Sequence, residues 1–106
     1  PRLVDIRAPS AFAQGHIPGS LNIPFGDLPD RIDALADAEH IVAICPHGKA
    51  SVQAARLVKS YEGTRDARVE SMAGGLAEWP GEFETGDGSG ADRGPAEDEP
   101  AADAPF

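Results

Sequence analysis

Ile41-Val42-Ala43-Ile44 restricts what this chain can fold into more than any other stretch. Four apolar residues, three of them β-branched, run without a polar break and stop at Cys45. Helical periodicity flanks them on both sides. From Phe25 to Ala38, Leu28, Ile32 and Leu35 recur at spacings of three and four, with Asp27, Asp30, Arg31, Asp33 and Asp37 on other faces. Beyond the cysteine, Ser51 opens a second helix with a stripe of Ala54, Ala55, Leu57 and Val58. A short strand that is apolar on both faces and lies between two helices reads as a central parallel strand.

The remaining segments extend that order. Arg2-Leu3-Val4-Asp5-Ile6 is a buried-strand candidate, followed by a short helix from Pro9 to Gln14 with Ser10 as N-cap and Gly15 as stop. Pro18 and Pro24 exclude helix from His16 to Pro24 and leave an edge or connecting strand. Asp66 to Met72 alternates weakly and is a further strand, broken by Gly74-Gly75. Leu76-Ala77-Glu78-Trp79 begins a short helix stopped by Pro80-Gly81. Strand and helix in alternation imply an α/β fold: an open parallel sheet flanked by helices.

Charge divides the 106 residues in two. Of eighteen Asp/Glu and nine Lys/Arg, ten and eight lie in residues 1–81; residues 82–106 hold eight acids against Arg93. In that last quarter only Phe83 and Phe106 are bulky and apolar, too little to offset the entropy of ordering. We expect a domain over 1–81 and a disordered acidic tail over 82–106. No basic face is available for nucleic acid or for an anionic membrane surface. No run of about 18 apolar residues offers a membrane span. One cysteine excludes an internal disulfide and a CxxC pair, which fits a reducing, cytoplasmic setting. The chain opens at Pro1 with neither Met nor a signal-like segment, so a start upstream is expected. Acids outnumber bases two to one and Lys49 and Lys59 are the only lysines, a balance resembling proteins of high-salt cytoplasms.

The chemistry concentrates where the central strand ends. A cysteine there, followed by a glycine-containing turn into a helix N-terminus, lets the unsatisfied N–H groups of the turn and first helical turn converge on one point. An anion at that point is stabilised, and the cysteine's own sulfur can be that anion. Its pKa then falls from about 8.5 towards or below neutrality. Gly48 permits a turn that a Cβ would hinder, and Lys49 adds a cation near the same mouth.

Four motifs in order now resemble the rhodanese-like family, across residues 2–80. Leu3-Val4-Asp5-Ile6-Arg7 resembles its D-x-R strand end, and Gly15 to Pro24, preceded by Phe12, resembles its G-H-I-P-G-A-x-N-I-P run. C-P-H-G-K-A-S, Cys45 to Ser51, resembles its C-x-x-G-x-[RS]-S loop; Gly74-Gly75 with Trp79 resembles its closing G-G-x-x-x-W. The resemblance implies a sulfurtransferase. Cys45 would attack the outer sulfur of thiosulfate or another small anionic sulfane donor, and the persulfide would be cradled by the amides of Pro46–Ser51's loop. Cyanide or a thiol would take the sulfur, with no metal or organic cofactor. Many relatives carry Arg at the position of Ala50, and some in place of Lys49. With one cation in the loop, the affinity implied for a dianionic donor is modest. The family's first strand and helix should precede Arg2; either they lie upstream or the domain is unusually short.

Each residue also has a plainer reading. Pro46 and Ala50 shape the loop; His47 contacts substrate or is an exposed histidine without a role. Ser51 is a helix cap whose N–H and hydroxyl can also face the sulfur. In the family the Asp5–Arg7 pair is structural, His16 is a buried residue of the turn, and Gly74, Gly75 and Trp79 serve packing and turn geometry. No spacing among His16, His40, Cys45 and His47 resembles a metal ligand set. Phosphatases that share the fold close a longer loop with an Arg that neither Ala50 nor Ser51 supplies. A non-catalytic module would not need Cys45, Gly48 and Ser51 together. The alternative that stands is a persulfide relay serving a thiol-bearing protein partner.

Overall fold

A computed structural model of the chain describes residues 1–86. Its four strands, β1 (Arg2–Asp5), β2 (Leu21–Asn22), β3 (His40–Ile44) and β4 (Arg68–Ser71), form one parallel sheet in the order β2-β1-β3-β4. The register aligns Val4 with Ala43, Asp5 with Ile44 and Ala43 with Ser71. Between the strands lie α1 (Pro9–Gln14), α2 (Leu28–Arg31) and α3 (Ala50–Lys59). Because every strand points the same way, the segments after Asp5, Asn22, Ile44 and Ser71 all emerge at one edge of the sheet, where α/β folds build their sites.

One face of the sheet is sealed. Val4, Ile41 and Ala43 pack with Leu28 and Leu35 and with Ala54 and Val58 of α3 in a single buried cluster. On the other face, Asp5 and Ile44 are fully buried near the strand ends, whereas Leu3 and Val42 remain half-buried. The central strand is therefore covered most completely where it approaches Cys45.

Away from the cysteine loop, local structure departs from the sequence expectation in three places. The helix expected over Phe25–Ala38 is instead a 3₁₀ turn (Phe25–Asp27), one turn of α2, and a second 3₁₀ turn (Ile32–Leu35). Pro29 lacks an N–H for the preceding turn, and the aspartates compete for backbone groups, so the ladder cannot run through. The apolar spacing still places Leu28 and Leu35 wholly inside. Ser10 is not the cap of α1, which starts at Pro9 after Ala8, because proline is favoured at a first helical position. Finally, the domain does not stop at Gly81. Glu84 pairs antiparallel with His16 through two backbone bonds of 2.9 and 2.8 Å, and the Gly86 N–H donates to Ala13 O. The acidic-tail expectation for 87–106 lies outside the described residues. Among the described residues no helix is long and apolar enough to cross a membrane.

The ends of β1 are tied by Asp5. Its wholly buried carboxylate accepts the Arg7 backbone N–H at 3.1 Å and the Arg7 guanidinium at 2.8–3.2 Å. Arg7 Nη2 also donates to Gly15 O at 2.7 Å, and Asn22 Nδ2 bridges the Asp5 and Arg7 carbonyls. Removing one partner of a fully buried pair costs roughly 3–5 kcal/mol, and Arg7 keeps 16% exposure to water. Asp5→Ala is therefore expected to lower stability by about 2 kcal/mol. Urea unfolding checks this; a loss within about 0.5 kcal/mol of zero, the usual size at an unconstrained surface position, would contradict the tie.

Candidate active site

Cys45 follows β3 directly and is 2% exposed. Five residues later the chain is already helical: α3 begins at Ala50, with Lys49 before it and no side-chain cap. Gly48 makes the turn with φ +82°, in the left-handed region that a Cβ disfavours. The consequence is a ring of donors around one sulfur. The Gly48 N–H lies 3.1 Å from Cys45 Sγ and the Ser51 N–H 3.3 Å, with Ser51 Oγ also at 3.3 Å. Ser51 is the second residue of α3, so its side chain is turned to the sulfur rather than capping the helix.

These contacts decide the charge of the thiol. Burial disfavours the anion and is the largest single influence on it, pushing the pKa up. Against it act the Ser51 hydroxyl and the backbone N–H groups of Ser51, His47 and Gly48; together they outweigh burial, and the thiol is held below its ordinary value. The sulfur thus sits in a cradle of peptide groups suited to an anion.

The cradle is held from behind by the Gly74-Gly75 turn. The Leu76 N–H donates to Cys45 O at 2.9 Å and the Ala77 N–H to Pro46 O at 3.0 Å. Gly75 has φ +65°, and a Cβ there would sit 2.3 Å from Cys45 O and 2.6–2.7 Å from the N atoms of Gly48 and His47. Two backbones meet with no room for a side chain. Trp79 lies farther along, its indole N–H donating to Glu82 O at 3.0 Å.

In front of the sulfur is a cleft of about 370 Å³ lined by Ile6, Arg7, Phe25, Cys45, Pro46, Ala50 and Gln53. The cation on this lining is Arg7, not Lys49. Lys49 and His47 are exposed, and among the described residues neither makes an ion pair. Arg7 in turn is already engaged by Asp5 and Gly15 O. His16 is fully buried, stacked on Phe12 with ring centroids 3.7 Å apart, and its Nδ1–H donates to Phe12 O at 2.8 Å. His40 bonds Glu70 at the other end of the sheet. Neither comes to Cys45.

Ile6, Phe25 and Gln53 escaped the sequence reading of the site, as did Ser71, whose Oγ lies 2.6 Å from Ser51 Oγ. Ile6 and Phe25 were findable: each lies one to three residues beyond a strand end, on the edge where a parallel sheet gathers its ligand contacts. Gln53 and Ser71 carry no such signal.

Comparison with known proteins identifies the family. The model of the rhodanese-like domain matches residues 1–82. The chain belongs to the rhodanese-like family. It is 41% identical over 78 residues to thiosulfate sulfurtransferase GlpE of Stutzerimonas stutzeri, covering 73% of this chain and 68% of that protein. The structure of the human single-domain sulfurtransferase TSTD1 superposes with a TM-score of 0.60 at 37% identity, covering 74% of this chain and 79% of that one. A putative sulfur carrier protein of Bacillus subtilis, YrkF, is 32% identical over 82 residues; these are 77% of this chain and 43% of that protein. The chain thus spans under half of that longer protein.

Gly75→Ala and Gly74→Ala separate the two glycines. A Cβ on Gly75 meets backbone that cannot yield, so a loss of about 3 kcal/mol or more is expected. At Gly74 (φ +74°) the obstruction is the Glu78 side chain, which can swing away, leaving about 1 kcal/mol of backbone strain. Equal losses in urea unfolding would contradict the close approach at Gly75.

Proposed function

We propose that this chain transfers sulfane sulfur through a persulfide on Cys45. The observation that carries the reading is the convergence of the Gly48 and Ser51 N–H groups and the Ser51 hydroxyl on a single sulfur held below its usual pKa. The Cys45 thiolate attacks the outer sulfur of a donor such as thiosulfate. A new S–S bond forms, the donor's S–S bond breaks, and sulfite leaves with the bonding pair. Cyanide or a thiolate then attacks the terminal sulfur and takes it, and Cys45 is again a thiolate. The amides stabilise negative charge on the sulfurs through both steps. No step needs a metal or an organic cofactor.

The cleft bears on the partners. The charge of Arg7 is already paired with Asp5, and its Nε and Nη2 are bonded to Asp5 and Gly15 O, so a dianion gains less from it than from an unpaired guanidinium, while Ile6, Phe25 and Pro46 offer apolar contact. This favours a second form of the same chemistry, in which the acceptor or donor is a thiol on a protein partner and thiosulfate turnover is slow. A name such as sulfur carrier among the relatives is in keeping with it. Pro46, His47, Lys49 and Ala50 then form the rim such a partner meets, in a reducing cytoplasm that keeps Cys45 available.

Incubation with thiosulfate should add the mass of one sulfur atom to Cys45, and cyanide should remove it as thiocyanate. Cys45→Ser should do neither. Equal thiocyanate yield from wild type and Cys45→Ser would overturn the proposal. Rapid loading from a protein persulfide donor, with thiosulfate loading near background, would identify the relay form.

A further inference from the structure

Ser71 stands in β4, outside the sulfur loop, and its hydroxyl lies 2.6 Å from Ser51 Oγ. Ser51 Oγ in turn lies 3.3 Å from Cys45 Sγ. Three groups in line share a direction problem, because each hydroxyl has one proton to donate. While Cys45 is a thiol, S–H donates to Ser51 Oγ, and Ser51 donates to Ser71. Once Cys45 is a thiolate it can only accept. Ser51 must then turn its proton to the sulfur, which leaves Ser51 Oγ as an acceptor for Ser71. The geometry points to Ser71 as a positioning residue that holds the Ser51 hydroxyl in its donating orientation towards the anionic sulfur.

The proton that leaves Cys45 goes to solvent, and the two serines only rotate their hydroxyls. The arrangement has a physical advantage over Ser51 alone. In a buried site a hydroxyl that accepts one hydrogen bond donates a stronger one, since each bond polarises the next. The net worth of one such hydrogen bond corresponds to a change of about two- to tenfold in an equilibrium. Ser71 itself is half-buried at the lining of a groove between α3 and β4, so water can solvate it in either orientation. Arg56, Lys59, Arg68 and Glu70 line the same groove. Arg7 lines the cleft at Cys45, and His47 and Lys49 belong to its loop. All of these charges are common to the variants compared below.

The inference rests on Cys45 being the nucleophile of the proposed reaction, and its test is independent of sulfur transfer. The rate of Cys45 alkylation by iodoacetamide is followed against pH on the whole chain. Ser71→Ala should move the apparent pKa of Cys45 upward and slow alkylation below it by about two- to tenfold. The plateau rate at high pH, where all of the sulfur is ionised, should stay unchanged. Ser71→Thr, which keeps a hydroxyl, should stay at the wild-type midpoint, and Ser71→Val, of the same shape, should follow Ser71→Ala. That pair decides the matter if Ser71→Ala fails to fold, since β-branched residues suit a strand. In a Ser51→Ala background, removing the Ser71 hydroxyl should add nothing. A midpoint equal for Thr and Val, or an undiminished shift without Ser51, would overturn the inference. Absence of persulfide in thiosulfate loading, with the Thr/Val difference intact, would instead remove the sulfur-transfer reading alone.

Discussion

The structure depends on a contest at one atom. Enclosing a thiol in protein makes its anion expensive, because water is withdrawn from the charge. Three donors aimed at Cys45 Sγ from 3.1 to 3.3 Å reverse that outcome. Two of them are backbone N–H groups that have no partner inside α3, so nothing is lost by giving them to the sulfur. A lysine could supply more charge, but it would bring a flexible stem and its own hydration. Peptide groups fixed by a turn and a helix are already in place when the charge appears.

Holding those groups still is what the surrounding fold does. The loop can approach the sulfur closely because Gly48 accepts a left-handed turn and Gly75 leaves no side chain between two backbones. Behind the loop, carbonyls of Cys45 and Pro46 are fixed by the turn after β4; in front, Asp5 and Arg7 fix the end of β1, which supplies Ile6 to the cleft. Parallel strands make this convergence possible, since each contributes its C-terminal end to the same edge.

Much of this was legible in residues. A short apolar run between helical segments identified β3 as central, and a cysteine at its end beside Gly48 and a helix start located the anion cradle. Motif order supplied the family. What escaped was set by tertiary contact. Pro29 and the aspartates broke the helix expected from Leu28, Ile32 and Leu35, although the spacing still marked what is buried. Glu84 reads as part of an acidic tail until His16, far away in sequence, offers it a backbone bridge. Ser71 looks like any polar residue of a strand, because a hydroxyl pair across two elements leaves no local pattern. Lys49 is the cation of the loop in sequence, yet Arg7 lines the cleft, brought there by the sheet.

The donors around Cys45 Sγ outweigh its burial and hold the thiol below the ordinary value of a free cysteine. The most direct measurement is the ultraviolet absorbance of the thiolate, titrated with pH as a difference between wild type and Cys45→Ser. A single step is expected, with its midpoint clearly below the value of about 8.5 for a free cysteine. A midpoint at or above that value would contradict this, and would mean that burial prevails over the cradle.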